Sequence, residues 1–349
     1  MYMLRKKMSR AQKGGIAKFP LVLMLEPLHA CNLKCSGCGR IREYADTLSQ
    51  RLSVDDCLHA VKECDAPIVS ICGGEPLLYP DIVELTDKIL RLGKHIYLCT
   101  NGILLQEKLG DFVELAKQNG LVKKRMYWNV HLDGTEEVHD AIVEKRGTFA
   151  KAVHGTIAAK LAGFYAYTNT TLYKTSSVDD LVALAGILHQ DAIKGLPIFK
   201  RFKMLQIDGM MIAPGYGYDA VQSDKPFFLN RTEIHALFRE IRQRMKQYRI
   251  TATPIYLDFL CGERELPCAA WANPTYNVKG WRSPCYLIAD KHYATYQEFI
   301  EQTDWSKIGC NDPRCQDCMM HCGYEPAAVL FGNRLRDLVR MALWQLGVV

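Results

Sequence analysis

What these 349 residues lack narrows the field first. No apolar run approaches the roughly 18 residues needed to span a bilayer; Leu21 to Leu25 and Ile68 to Cys72 are typical of the longest. An integral membrane protein is therefore not expected. Arg5, Lys6, Lys7 and Arg10 crowd the N-terminus, yet the roughly 7–15 apolar residues of a secretory signal do not follow them. A cytoplasmic location is the expectation. Net charge is a modest +6 and no basic-aromatic stacking motif accompanies it, so nucleic acid is not an expected partner, whereas an anionic membrane surface or a phosphate-bearing ligand suits the balance. Internal repeats and low-complexity tracts are absent. With 48% apolar and 23% charged residues, the composition is that of a globular chain with a sizeable core.

Cysteine is what the chain has in excess: there are 14. In a reducing compartment they are metal ligands or reactive thiols sooner than disulfides. Residues 1–18 read as a basic arm without periodicity. From Leu21 onward, short β-branched or apolar runs alternate with helix-period segments. The runs predict strands at Leu21 to Pro27, Ile68 to Cys72, His95 to Thr100, Met126 to Leu132, Phe164 to Leu172 and Ile207 to Ala213. Between them, helices are predicted at Val54 to Cys64, capped by Ser53, and at Asp81 to Leu92, Glu107 to Gln118, Thr148 to Ala162 and Val178 to His189. Repeated strand-helix units imply a parallel sheet with strands buried on both faces. Six units fall short of the eight in a closed barrel. The predicted fold is thus α/β, a partial (β/α)6 TIM-like barrel over 19–225, working at the C-terminal ends of its strands. A Cys-rich module over 226–325, held by something other than a large core, and an amphipathic helix over 326–349 complete the chain.

Cys31, Cys35 and Cys38 form a C-x3-C-x2-C run directly after the first predicted strand. Thiolates are soft ligands that select zinc, Cu(I) or iron-sulfur clusters. A 4Fe-4S cluster held by three cysteines leaves one iron free to bind something small. A structural zinc site with a distant fourth ligand is the plainer alternative.

The triplet, in a loop after the first strand of an incomplete barrel, resembles the signature of the radical S-adenosylmethionine (SAM) superfamily. The resemblance implies that the open iron chelates SAM and that one electron cleaves it to methionine and a 5′-deoxyadenosyl radical. It also implies further cofactor contacts. Gly73, Gly74, Glu75 and Pro76 match the family's GGEP motif, whose backbone and carboxylate meet the SAM amino group. Asn101 and His131 close the third and fourth strands, and Asn169, Thr171 and Ile212 stand where the family contacts ribose and adenine. Longer stretches, among them LEPLHACNLKCSGCGR, SICGGEPLLYPDI, YLCTNGILL, NPTYNVKGW and HCGYE, resemble the hopanoid-biosynthesis branch, the adenosylhopane synthases, from about Phe19 to Glu325. That branch implies addition of the 5′-deoxyadenosyl radical to the terminal alkene of diploptene, an apolar polycyclic hydrocarbon, with an electron donor such as flavodoxin or ferredoxin. The resulting tertiary radical needs a hydrogen atom. Cys99, at a strand end, is the candidate donor, since Cys57 and Cys64 fall on a predicted helix and Cys72 precedes GGEP. An apolar cavity is required, for which Phe227, Phe228, Leu229, Tyr256, Leu257, Phe259, Leu260, Trp271 and Trp281 are candidate lining.

Further along, Cys315, Cys318 and Cys322 form C-x2-C-x3-C, with Cys268, Cys285 and Cys310 upstream. The spacing leaves open a second iron-sulfur cluster, zinc or redox thiols. The terminal helix, with Arg334, Arg336 and Arg340 beside its leucines, suits either docking on the barrel or peripheral contact with the inner face of a membrane. Residues 195–205 read as extra length before the sixth strand. Other acceptors, a second polycyclic alkene or a peptide, stay open, as does a non-enzymatic iron-sulfur or zinc protein, which would leave GGEP without a purpose.

Overall fold

The computed structural model describes residues 18–189, 206–221, 227–309, 311–332 and 335–345. The basic arm, the 195–205 stretch and Cys310 lie outside them. Six parallel strands, β1 (Val22–Leu25), β2 (Ile68–Ile71), β3 (His95–Thr100), β4 (Met126–His131), β5 (Tyr165–Leu172) and β6 (Gly209–Pro214), pair in chain order. Among helices of seven residues or more, α1 (Val54–Cys64), α2 (Ile82–Arg91), α3 (Leu105–Gln118), α4 (Glu136–Ile142), α5 (Thr148–Leu161) and α6 (Val178–Leu188) supply the crossovers. Local chemistry sets several boundaries. Ser53 and Asp56 close a capping box on α1, where Asp56 N–H donates to Ser53 Oγ at 3.1 Å. Ser177 caps α6 by accepting from Asp180 N–H at 3.1 Å.

Burial alternates along β3 and β5 rather than running on both faces. Ile96, Leu98 and Thr100 pack toward the helices, whereas His95, Tyr97 and Cys99 turn the other way and are part-exposed. The expectation of strands buried on both faces fails here because the sheet curls around an inner lumen instead of lying between two helix layers.

The C-terminal module is part of the same body. After α7 (Arg231–Arg244) and α8 (Pro254–Leu260), strand β7 (Thr275–Asn277) pairs parallel with β1, and β8 (Gly280–Pro284) and β9 (Ala289–Tyr293) follow antiparallel. One nine-stranded sheet results, in the order β6-β5-β4-β3-β2-β1-β7-β8-β9. Trp281, Phe299, Met319 and Tyr324 join the main hydrophobic cluster, so the module is held by the large core it was expected to lack. Helices α9 (Tyr296–Gln302), α10 (His321–Phe331) and α11 (Leu335–Gln345) end the chain. Residues 330–346 are thus not one helix. No helix among the described residues is long and apolar enough to cross a membrane.

Candidate functional site

The loop after β1 carries Cys31, Cys35 and Cys38 at the C-terminal edge of the sheet, and its shape depends on the loop after β2. Gly74 N–H donates to Leu28 O at 3.0 Å and Glu75 N–H to Ala30 O at 2.9 Å. A Cβ on Gly74 would stand 2.0 Å from Ala30 O, and Gly73 adopts φ +104°. Two glycines are what allow such close backbone approach. At Gly37, inside the triplet, a Cβ would meet the Tyr173 hydroxyl at 2.2 Å. Glu75, buried at the end of this loop, accepts from Thr100 Oγ1 at 2.7 Å, Asn101 N–H at 2.8 Å and Leu77 N–H at 3.0 Å. Its carboxylate is therefore engaged within the protein, and it ties β3 to the GGEP turn. Asn101 in turn donates to Asn32 Oδ1 at 2.7 Å and approaches Cys31 Sγ at 3.9 Å.

The ends of β4 and β5 bring His131, Asn169 and Thr171 together. His131 pairs in register with Asn169, its Nε2 lies 2.5 Å from Asp133 Oδ2, and Thr171 N–H donates to Asp133 Oδ1 at 2.7 Å. Burial would lower the His131 pKa, but Asp133 beside it raises it above the usual value. Ile212 is placed differently. Its side chain is 1% exposed in the core, on the helix-facing side shared by Thr170, which leaves only its backbone to face a ligand. The proposed apolar lining also needs correction: Tyr256, Phe259, Leu260 and Trp281 are core side chains, because α8 packs its apolar residues against neighbouring helices, Phe259 stacking on Tyr324 at 4.3 Å. Aromatic groups that do face the lumen come from the strands. Tyr97 and Tyr127 stack at 5.1 Å and Tyr127 meets Tyr165 at 5.3 Å.

Cys99 faces the lumen too. Its Sγ lies 3.3 Å from Ser70 Oγ and accepts from Asn129 Nδ2 at 3.7 Å. Burial pushes the thiol pKa up, so the sulfur keeps its hydrogen.

Sequence reasoning missed a buried ionic chain beneath the triplet. Arg40, two residues past Cys38, binds Glu26 at 2.8 Å and Glu43 at 3.1 Å, and Glu43 binds Arg282 at 2.7 Å. Although burial acts to raise the Glu26 pKa, Arg40 holds it down at about 2. The one visible signal was a glutamate at the end of an apolar strand.

Three soft sulfur donors in one glycine-shaped loop fit a cluster better than a single ion. Thiolates on zinc stand about 2.3 Å from the metal and so crowd within about 4 Å of one another. Among the described residues, no three His, Cys, Asp or Glu side chains converge on such a point. Burial, with the neighbouring thiols, pushes Cys31 up to about 11 and Cys35 higher still, so ligation releases protons.

Residues 25–188 match the family model described as the Radical SAM superfamily. They are a radical SAM domain. The cofactors of this domain are a 4Fe-4S cluster and SAM, and Cys31, Cys35 and Cys38 are the thiols available to hold the cluster. Residues 210–341 match a second model, described as a domain of unknown function (DUF3463). The chain is 30% identical over 159 residues to the AdoMet-dependent heme synthase of Methanosarcina barkeri, covering 44% of this chain and 43% of that protein. It is 28% identical over 190 residues to the GTP 3′,8-cyclase of Aquifex aeolicus, covering 52% and 55%. It thus spans about half the length of the curated relatives it matches. Among solved structures, Streptococcus suis SuiB bound to the precursor peptide SuiA superposes with a TM-score of 0.63 at 16% identity, over 90% of this chain and 74% of that one. At this identity the likeness is one of fold.

Proposed function

We propose that the protein is a radical SAM enzyme that joins the 5′-deoxyadenosyl group of SAM to the terminal alkene of diploptene, giving adenosylhopane. The observation that carries this reading is the place of Cys99. It stands two residues before Asn101, about 7 Å along the strand at roughly 3.3 Å per residue, and Asn101 touches the loop of Cys31. A protonated thiol therefore sits in the lumen beneath the cofactor loop. Addition of a carbon radical to a terminal alkene, unlike hydrogen abstraction, requires such a donor.

When bound, the reduced cluster and SAM supply the 5′-deoxyadenosyl radical. The protein's residues do the rest. The GGEP backbone and Asn101 shape the cofactor loop, and His131, Asn169 and Thr171 present polar groups to the nucleoside. The Tyr97, Tyr127 and Tyr165 rings offer flat apolar faces to a rigid hydrocarbon. New carbon–carbon bond formation leaves a tertiary carbon radical, which takes hydrogen from Cys99 Sγ. The sulfur radical left behind is restored by one electron and one proton. Two electrons are thus consumed per turnover, one for SAM and one for the sulfur, from a donor of the flavodoxin or ferredoxin kind.

Anaerobic incubation with SAM, a reductant and diploptene should yield the adenosyl adduct by mass. Free 5′-deoxyadenosine without adduct would keep the SAM chemistry and reject this acceptor in favour of another alkene or a peptide. In Cys99→Ala, SAM cleavage should persist while the product is diverted or changes stereochemistry. An unchanged product would remove Cys99 from the mechanism.

A further inference from the structure

Five cysteines that the chemistry above does not use meet around one cavity. Cys268, Cys285, Cys315, Cys318 and Cys322 all line one pocket between β8, the turn at Pro313–Cys315 and the start of α10. They are separated by up to 54 residues in sequence, from Cys268 to Cys322, and all are free thiols. We propose that this cavity holds a second, fully cysteine-ligated 4Fe-4S cluster, taking four of the five sulfurs.

The cavity is built for sulfur that carries charge. Ile288 N–H donates to Cys285 Sγ at 3.2 Å. Backbone N–H groups of Ala270, Gly309 and Met320 reach Cys268, Cys315 and Cys318 in the same manner. Such N–H···S bonds stabilise cluster thiolates and tune their potential. Cys318 N–H donates to Cys315 O at 3.0 Å, a turn that aims both thiols to one side. Close packing behind the sulfurs is paid for with glycine: a Cβ on Gly323 would stand 2.4 Å from Cys268 Sγ.

Charge balance agrees. A cube held by four thiolates is anionic, and the nearest buried cation, Arg282, donates to Cys285 O at 3.1 Å and Leu287 O at 2.6 Å. Arg40 reaches the adjacent Tyr286 O at 2.5 Å. A single zinc is disfavoured on the same ground as at the first site: the thiols surround a space and do not close on a point. Four cysteine ligands also leave no iron open. Unlike the first cluster, this one has nowhere to bind SAM.

The test is independent of the acceptor, and of whether the first triplet holds iron. Protein carrying Cys31→Ala, Cys35→Ala and Cys38→Ala together is reconstituted anaerobically beside the unmodified chain. The variant should keep about four iron and four sulfide per chain, against about eight of each in the unmodified protein. Its reduced electron paramagnetic resonance spectrum should be unmoved by SAM. Adding Cys315→Ser, Cys318→Ser and Cys322→Ser together, which leaves only two of the five sulfurs, should then remove the remaining iron, with circular dichroism reporting that the fold survives. A triplet variant that binds no iron, or that binds zinc without sulfide, would overturn the proposal. Failure of the first-site reading looks different: the unmodified chain and the triplet variant would bind the same four irons.

Discussion

Two buried carboxylates and a half-buried one show how a single residue's surroundings decide its role. Glu26 faces Arg40 and stays ionised far down in pH. Glu75 has three hydrogen-bond donors, and burial still raises its pKa. Glu325 accepts from Thr253 N–H at 3.0 Å, and burial raises it to about 7. For Glu325 the folded chain holds a proton that the unfolded chain has already released above about 4.5, so folding stability is complete at low pH and declines as pH rises from there through 7. A shift of this size is worth roughly 2–3 kcal/mol after discounting its partial exposure. Glu325→Gln should therefore be more stable than the parent at pH 8 by about that amount and gain almost nothing near pH 4, as read by urea unfolding at both values. Glu75→Gln has the opposite sign. An amide offers one acceptor oxygen to three donors, so a loss of about 2–4 kcal/mol is expected, together with lower iron occupancy as Asn101 releases the Cys31 loop. Full iron loading in that variant would detach Glu75 from the site.

Between elements, the Glu26–Arg40–Glu43–Arg282 chain joins the end of β1, the helical turn after the triplet and β8. Breaking one member leaves a buried charge without its partner, which costs about 3–5 kcal/mol. Arg282→Met should lower stability by that order in denaturant unfolding. Arg282→Lys should recover only part of it, because an ammonium cannot reach Glu43, Cys285 O and Leu287 O at once. Equal stability of Met and Lys variants would show that packing, not charge, holds the loop. The crossover helices and six parallel strands were legible in sequence because caps such as Ser53 and long apolar periods are local signals. β7 was not, since a strand of three residues carries no period of its own; it exists only because β1 offers an unpaired edge. Arg282 was illegible for a similar reason. A buried arginine is defined by carbonyls and carboxylates up to 239 residues away. The cysteine triplet and GGEP could be read, but the carboxylate's inward turn could not, because its donors lie on another strand.

Over the whole molecule, the last helix buries charge as well as apolar surface: Asp337 and Met341 face inward. The sequence reads as one basic helix whose leucines could dock or face a membrane. The structure breaks it after Phe331, where a Cβ on Gly332 would stand 2.3 Å from Ile255. α11 then docks by charge: Arg264 grips Asp337 at 2.8 and 3.1 Å, and Arg340 grips Asp258 at 2.5 and 3.0 Å. Leu335, 79% exposed, and Val339, 51% exposed, point outward. Two apolar side chains held outward on a helix anchored by ion pairs, in a chain of net charge +6, suit the surface of an anionic membrane. Burying these two side chains is worth about 1–2 kcal/mol each, partly offset by ordering, at the usual value for apolar surface. Leu335→Ser with Val339→Ser should accordingly weaken co-sedimentation with phosphatidylglycerol vesicles by about tenfold or more, leaving the thermal midpoint within a few degrees. High salt should weaken the parent's binding as well, through the Arg and Lys excess. If parent and double variant partition alike, these side chains are not a membrane contact.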